Sequence, residues 1–195
     1  MPHAQTSSSK HPGAAGEIPS MFRRLRANPR GGMCLQVGCE DDEFTLVLAD
    51  LFDHLLAVDT SPAVLETTRA AVTREGVTNV DFQLVQQARL DGVADEIADV
   101  LVECGFLEQL HRKGQLRSQL SEFARVLRQR GQAYITVPLR RRGLKGVLGP
   151  PGGVAISERQ LAQALSQAGL TVHASDEGAS ARRAVRELFL HLERE

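Results

Sequence analysis

Short apolar runs alternate with amphipathic helical stretches along most of this chain, and this order constrains the fold more than any other feature. Seven runs have the length and composition of strands: MCLQV, HLLAVD, VDFQLV, ADVLVEC, QAYITVPL, LTVHAS and RELFLHLER. Helical patterns separate most of them. Parallel strands need such crossover helices, which then cover both faces of the sheet. The sequence therefore predicts an α/β fold, a doubly wound and mostly parallel seven-stranded sheet in three α/β/α layers.

Short-range chemistry marks the helix ends. Ser61 followed by Pro62 predicts a helix start, and Gly76 predicts the end of that helix. Ser157 opens a capping-box pattern at the last helix. Apolar spacings of three and four predict a helix through GQLRSQLSEFARVLRQRG that ends at Gly131. The turn-like DEGAS between the last two apolar runs predicts antiparallel neighbours, so we expect an antiparallel last strand.

Composition divides the chain into a tail and one domain. Residues 1–19 are rich in Ser, Pro, Gly and Ala and have little to bury, so we expect a flexible tail. Residues 20–195 of a chain that is 42% hydrophobic suffice for a single domain. A formal net charge of -1 provides no global attraction to nucleic acid, and one tyrosine without tryptophan offers few stacking platforms. These features argue against nucleic acid as a partner.

Cysteine usage and hydropathy favour a cytoplasmic protein. The three cysteines, Cys34, Cys39 and Cys104, are odd in number and fall in apolar stretches, which is typical of reduced thiols. No signal-peptide pattern opens the sequence, and no apolar stretch approaches the ~20 residues that span a bilayer. No metal-ligand spacing occurs among the histidines and cysteines. We therefore expect neither a membrane span nor a metal site.

The stretch MCLQVGCEDDEF raises the question of a ligand site. Its apolar run ends at Gly38, and in doubly wound sheets ligands lie across the carboxyl ends of the strands. Asp59 ends the next run, about 20 residues further on, which is the separation expected for an acid that accepts ribose hydroxyls. The alternative is an ordinary acid at a strand-to-helix corner near Ser61.

Five segments in order resemble the class I S-adenosylmethionine-dependent methyltransferases. CLQVGCEDD lies where that family has its first strand and a Gly-Cys-Gly-x-Gly turn, and LLAVDTSPAVLETTRAAV is similar to its second strand, acid and helix. ADVLVECGFLEQL resembles its fourth strand, FARVLRQRGQAYITVPL its Arg-Val-Leu-Lys-Pro-Gly-Gly turn and fifth strand, and ISERQLAQALSQAGLTV the helix and sixth strand. The resemblance runs from about Met33 to the C-terminus. It implies a Rossmann-like fold, S-adenosylmethionine as cofactor, and methyl transfer to a small-molecule acceptor.

The resemblance also implies the cofactor-binding residues, which are Gly38, Cys39, Glu40, Asp59, Thr60, Gln86 and Glu103. Asp59 would accept the ribose hydroxyls, and Gln86 takes the place of the acid that accepts the adenine amine. Catalytic residues stay unassigned, because methyl transfer is an in-line displacement that depends mainly on positioning.

The sequence departs from the family pattern around the glycine turn. Glu40 and Asp42 stand where the family has glycines, so they hinder close backbone approach and bring negative charge toward the cofactor's carboxylate. Gln36 replaces the acid that would pair with the cofactor's ammonium. These departures favour an alternative, a catalytically inactive methyltransferase fold that serves as a scaffold or binding subunit. The acids also have a simpler explanation, since they suit the positive end of the following helix.

Other polar residues lie near the expected strand ends. His111 is a candidate general base or an exposed loop histidine, and Glu108 follows the fourth strand. The basic connector, residues 140–145, would bind an anionic group or lie over the pocket as a lid. In a scaffold, residues 1–19 and 140–145 are the expected protein contacts. An NAD-dependent oxidoreductase is a third interpretation, weakened by the absence of the glycine fingerprint.

Overall fold

The structure is a computed structural model that describes residues 20–39, 42–86, 89–103, 105–109, 113–140, 156–178 and 185–195. The helices are α1 (Ser20–Arg24), α2 (Asp42–Leu51), α3 (Pro62–Arg74), α4 (Lys113–Val126) and α5 (Glu158–Ala168). The strands are β1 (Met33–Val37), β2 (His54–Asp59), β3 (Val80–Leu84), β4 (Ala98–Glu103), β5 (Leu127–Arg140), β6 (Leu170–Gly178) and β7 (Val185–Arg194). A short 3-10 helix, Phe106–Gln109, follows β4. The predicted tail, residues 1–19, and the connector beyond Arg140 lie outside the described residues.

The strands form one sheet in the order β3-β2-β1-β4-β5-β7-β6. β1 pairs in parallel with β2 and β4, β2 with β3, and β4 with β5. β7 runs antiparallel to both of its neighbours, β5 and β6. The predicted mostly parallel sheet with an antiparallel last strand is confirmed. Because the chain runs outward from β1 to β3 and then returns to β4 on the other side of β1, the switch point lies between β1 and β4.

Helices cover both faces of the sheet. Successive strand residues point to opposite faces. Cys34 therefore packs in one cluster with Phe22 of α1, while the next residue, Leu35, packs in another cluster with Leu120 of α4 and Leu161 of α5. α2 packs beside α3, and α4 beside α5. The result is the predicted three-layer α/β/α arrangement.

The predicted helix caps are present. The Ser61 hydroxyl accepts the Val64 N–H at 3.4 Å, and Gly76, just past α3, has φ +70°. At α5, the Ser157 hydroxyl accepts the Gln160 N–H at 3.3 Å, and the Gln160 side chain accepts the Ser157 N–H at 3.1 Å. Both helix starts are therefore fixed by chemistry that the sequence displays locally.

One predicted boundary is wrong. The helix expected to reach Gly131 ends at Val126, and β5 begins at Leu127. The carbonyl of Arg125 accepts a backbone N–H from the loop before β4 at 3.0 Å, and Leu127 pairs with Ala98 in β4. Bonding to a neighbouring strand thus replaces bonding within the helix, although the apolar spacing continues.

Candidate functional site

Several of the predicted site residues come together at the carboxyl ends of β1, β2 and β4. Val37, the last residue of β1, pairs with Val58 in β2 and with Glu103 in β4. Gly38 comes directly after Val37, and Asp59 comes directly after Val58. They are therefore adjacent at the switch point, where a doubly wound sheet binds its ligands.

Gly38 turns the chain away from β1. Its φ of +94° lies in a region that side chains rarely adopt, so glycine is needed here. The Gly38 N–H donates to the Val58 carbonyl at 2.9 Å, and the Gln36 amide nitrogen donates to the Gly38 carbonyl at 3.0 Å. The turn is therefore held to both β2 and β1.

Asp59 is only 3% exposed, and backbone groups hold its carboxylate. Oδ2 accepts the Cys39 N–H at 2.9 Å, and Oδ1 accepts the Ser61 N–H at 2.8 Å. The Asp59 carbonyl accepts the Val85 N–H at 3.0 Å. A carboxylate oxygen has two lone-pair directions. Asp59 therefore fixes the turn while keeping acceptor capacity on both oxygens.

Cys39 holds the turn to β2 and α3. It is fully buried, its thiol donates to the Val58 carbonyl at 3.5 Å, and its carbonyl accepts the Thr68 hydroxyl at 3.0 Å. Burial, and then the charge of Asp59, raise the pKa of the Cys39 thiol to about 12. The thiol is therefore neutral near pH 7.

Gln36 presents a buried acceptor without a donor. The side chain is 0% exposed, and its carbonyl oxygen Oε1 has no hydrogen-bond partner within the described part of the chain. Leaving such an acceptor unsatisfied costs about 1–3 kcal/mol. A donor supplied by a ligand would remove that cost.

Glu103 is also fully buried, and it joins two segments at the strand ends. Its Oε1 accepts the Leu107 N–H of the 3-10 helix at 2.7 Å, and its Oε2 accepts the Thr136 N–H of β5 at 3.0 Å. In this structure the carboxylate is engaged by the protein itself. Direct contact between Glu103 and a cofactor stays a prediction.

The remaining predicted residues are more open or lie outside the described part. Gln86 is exposed and forms a backbone bridge with Arg89. Thr60 is partly exposed in the bend before α3, and Asp42 is the partly exposed first residue of α2. Glu40, His111, the Glu108 side chain and connector residues 141–145 fall outside the described residues.

The sequence did not predict two hydrogen bonds that hold the site in place. The Thr68 hydroxyl, on the buried face of α3, holds the Cys39 carbonyl, and the Val85 N–H holds Asp59. Their partners lie far away in sequence, and no short motif links them. Only the packing of α3 and β3 against β2 shows these contacts.

Within the described ranges, no group of three or more His, Cys, Asp or Glu side chains is arranged to hold a metal ion. None of the helices described there is long and apolar enough to cross a membrane.

The family of the chain follows from comparison with known sequences. A family model described as a methyltransferase domain matches residues 35–135, just over half of the 195 residues. The matched region begins in β1, ends in β5, and includes Gly38 and Asp59. The chain therefore belongs to the class I S-adenosylmethionine-dependent methyltransferase family, as the resemblance indicated. A search of curated proteins found no match.

Solved structures with the same fold include methyltransferases and one enzyme of another kind. A SAM-dependent methyltransferase from Methanosarcina mazei has a TM-score of 0.72 at 14% identity, over 91% of this chain and 98% of that chain. Geranyl diphosphate C-methyltransferase from Streptomyces coelicolor, solved with geranyl diphosphate and S-adenosyl-L-homocysteine, has a TM-score of 0.73 at 10% identity, over 90% of this chain and 76% of that chain. The [4+2]-cyclase SpnF has a TM-score of 0.74 at 17% identity, over 89% and 78%. These likenesses establish the fold alone, and a cyclase among them means that the fold does not dictate one reaction.

Proposed function

We propose that this protein is an S-adenosylmethionine-dependent methyltransferase that acts on a small-molecule acceptor. The observation that carries the proposal is the adjacency of the Gly38 turn and the buried carboxylate of Asp59 at the switch point of a methyltransferase-family sheet. The Streptomyces coelicolor relative, solved with S-adenosyl-L-homocysteine and geranyl diphosphate, supports both the donor and the acceptor class.

The polar atoms of the site fit such a donor. Gln36 Oε1 is a buried acceptor without a donor in the described structure, and the cofactor's ammonium is a donor. The Asp59 oxygens keep acceptor capacity that suits the two ribose hydroxyls. Gln86, exposed two residues beyond β3, would accept the adenine amine. Gln36, Asp59 and Gln86 would thus hold three different parts of the molecule.

The residues of the chain would act by binding and orientation. When bound, S-adenosylmethionine supplies a methyl group on a positively charged sulfur. Asp59, itself fixed by two backbone N–H groups, would hold the ribose in one orientation. Correct placement of two reactants can supply much of the rate enhancement of a displacement. The proposed mechanism therefore requires no nucleophilic side chain, in agreement with the neutral thiol of Cys39.

Calorimetric titration with S-adenosylmethionine and S-adenosylhomocysteine tests the proposal. We expect saturable binding of both, and Asp59→Asn should weaken it about 10- to 150-fold, the equivalent of about 1.5–3 kcal/mol for a hydrogen bond to a charged group. Asp81→Asn, an exposed acid on β3, is the matched control and should leave the affinity unchanged. Absence of binding to folded protein would contradict the proposal.

A second function, a catalytically inactive scaffold or binding subunit, is favoured by a specific observation. Asp59 is almost completely buried and already accepts two backbone N–H groups, and the acid expected at position 36 is a neutral glutamine. In that case residues 1–19 and the basic connector would contact a protein partner. Folded wild-type protein that binds neither cofactor form would support this second function.

The cellular compartment belongs to the same proposal. Cys34 and Cys39 are free and buried, which suits the reducing cytoplasm that the sequence suggested.

A further inference from the structure

We infer that Arg125 is a positioning residue for the adenosine side of the proposed donor site, because it anchors the loop of residues 85–97 that carries Gln86. The inference rests on the proposed function for its ligand. The anchoring itself involves only contacts within the protein.

The Arg125 guanidinium, on the last turn of α4, reaches five acceptors at once. It forms a two-pronged pair with Glu122, Nε to Oε1 at 3.1 Å and Nη2 to Oε2 at 2.9 Å. Toward the loop, Nη1 donates to the Val93 carbonyl at 2.9 Å and to Asp95 Oδ1 at 2.5 Å, and Nη2 donates to the Leu90 carbonyl at 3.2 Å. Only arginine offers this many donors in a rigid fork.

Glu122 completes the anchor. Besides pairing with Arg125, its Oε2 accepts the Leu90 N–H at 3.1 Å. Leu90 thus has its N–H held by Glu122 and its carbonyl held by Arg125. The pKa of Glu122 is lowered, first by the hydrogen bond from Arg125, so the carboxylate is charged at neutral pH. The pair is about three-quarters buried, with side-chain exposures of 29% and 24%, so solvent screens it less than a surface pair.

From Leu90 the constraint continues toward the site. The Arg89 N–H donates to the Gln86 carbonyl at 3.0 Å. One residue earlier, the Val85 N–H donates to the Asp59 carbonyl at 3.0 Å. Hydrogen bonds, together with the peptide bonds from Leu90 to Arg89 and from Gln86 to Val85, therefore join the end of α4 to Gln86 and Asp59.

Other ties of the loop do not depend on the Arg125 side chain. Near the end of the loop, the Glu96 N–H donates to the Arg125 backbone carbonyl at 3.0 Å, and the Glu96 carbonyl accepts from the Arg128 side chain at 3.2 Å. The Gln83 amide donates to the Asp91 carbonyl at 2.9 Å, and the side chains of the loop residues Leu90 and Val93 are buried. Without Arg125, two loop carbonyls would lose their donors while these ties stay in place. We therefore expect the loop to loosen without unfolding of the sheet.

The test combines hydrogen exchange with a ligand pair that differs only at the adenine amine. The probes are S-adenosylhomocysteine and its analogue with purine in place of adenine, which lacks the exocyclic amine. Wild-type protein should prefer the adenine form. Arg125→Gln should raise amide exchange in residues 85–96 and reduce that preference at least fivefold. Arg125→Lys keeps the charge but lacks the forked set of donors, so it should show the same two changes as Arg125→Gln. It is the variant to use if Arg125→Gln folds poorly.

Two controls separate positioning from general loss of stability. Arg117→Gln removes an exposed arginine about two turns earlier on α4. It should change neither loop exchange nor ligand preference. Asp59→Asn should weaken both ligands equally and leave their ratio intact.

The outcomes are distinguishable. If the wild type binds and Arg125→Gln keeps its ligand preference, whether or not the loop exchanges faster, the inference is overturned and the proposed function stands. If folded wild type binds neither ligand, the proposed function fails, and the adenosine role of Arg125 fails with it. Faster loop exchange together with a reduced preference supports the inference.

Discussion

At the residue scale, Gln36 combines two features that conflict in the absence of a ligand. Its amide nitrogen donates to the Gly38 carbonyl, whereas its own carbonyl oxygen is buried and has no donor among the residues that the structure describes. A carboxylate at this position would meet the Gly38 carbonyl oxygen with no proton between them. Glutamine is therefore the better residue for the turn, and an acid is the better partner for an ammonium.

Gln36→Glu should separate these two effects. We expect the ligand-free variant to be less stable by about 1–3 kcal/mol, because a buried bond is replaced by unsatisfied acceptors. Its affinity for S-adenosylhomocysteine should increase roughly fivefold to tenfold, since charge-assisted hydrogen bonds are about twice as strong as neutral ones. Thermal melts with and without ligand measure both. Weaker binding by a folded Gln36→Glu variant would show that position 36 does not face the ammonium.

The acids after Gly38 can be tested in the same way. Replacing Glu40 and Asp42 together by glycine should tighten S-adenosylmethionine binding, because it removes like charge and permits close backbone approach. The protein should lose about 0.3–1 kcal/mol of stability from the first turn of α2, where acids favour the helix dipole. Glu43→Gln, an exposed change in the same turn, is the control. Weaker binding by the double variant would mean that these side chains contact the ligand themselves.

At the element scale, the sequence predicts a helix boundary when the interaction that fixes the boundary joins residues close together in the sequence. The starts of α3 and α5 depend on contacts between residues three positions apart, so Ser61 and Ser157 could be recognised directly. The end of α4 depends instead on pairing of Leu127 with Ala98, a contact that only the folded sheet creates. Local chemistry was therefore predictable, and the α4–β5 junction was not.

The cap of α5 gives a direct measure of this local chemistry. Ser157→Ala should lower the free energy of unfolding by about 1 kcal/mol, because the Gln160 N–H loses its acceptor. Ser166→Ala, an exposed change in the last turn of the same helix, should be neutral or slightly stabilising because alanine favours helices. Urea denaturation of both variants provides the comparison. Equal effects would rule out a specific capping contribution.

At the scale of the whole molecule, the site was predicted only as far as strand order allows. Gly38 and Asp59 end adjacent parallel strands, so their proximity follows from the fold class. The anchoring of the loop by Arg125 does not follow from the fold class. The partners of Arg125 lie 30 to 35 residues earlier in the sequence, before β4. The helical pattern indicated only that Arg125 lies off the apolar stripe. Contacts of this kind depend on how whole layers pack.

A cluster of titratable groups on β5, β6 and β7 also escaped sequence reasoning. The histidine cluster consists of His173, His191, Tyr134 and Glu193. The His191 ring stacks on Tyr134 at 4.6 Å, lies 5.5 Å from the His173 ring, and has a buried Nε2 without a partner in the described structure. His173 Nε2 is 3.3 Å from Glu193 Oε2. The pairing of β6 with β7 shifts register between Val172 and Ala174, at His173. No sequence pattern predicts this shift.

The surroundings of His191 together favour its neutral form, although one neighbour opposes this. Burial comes first in lowering the pKa of His191, followed by the charge of His173, while Glu193 acts in the opposite direction. Tyr134, whose pKa is raised to about 12 by burial, stays uncharged. Arg130 lies 3.9 Å from Glu193 and offsets part of its charge, and α1 contributes the uncharged ring of Phe22 against Tyr134.

Protonation of this cluster should make the whole domain less stable at mildly acidic pH. An unfolded histidine titrates near pH ~6.5, and the folded chain holds the His191 pKa below its ordinary value. The stabilisation is therefore complete above that pH and is lost as the pH falls through the folded pKa, because the unfolded state binds the proton first. Asp99 and Glu122, whose pKa values are lowered, act in a separate window, where unfolded carboxylates take up protons near pH ~4. Urea midpoints between pH 7.5 and 5 should decrease for the wild type and for His54→Gln, an exposed control, but less for His191→Phe, which keeps the stacked ring. A His191→Phe variant with the wild-type pH dependence would show that another group is responsible.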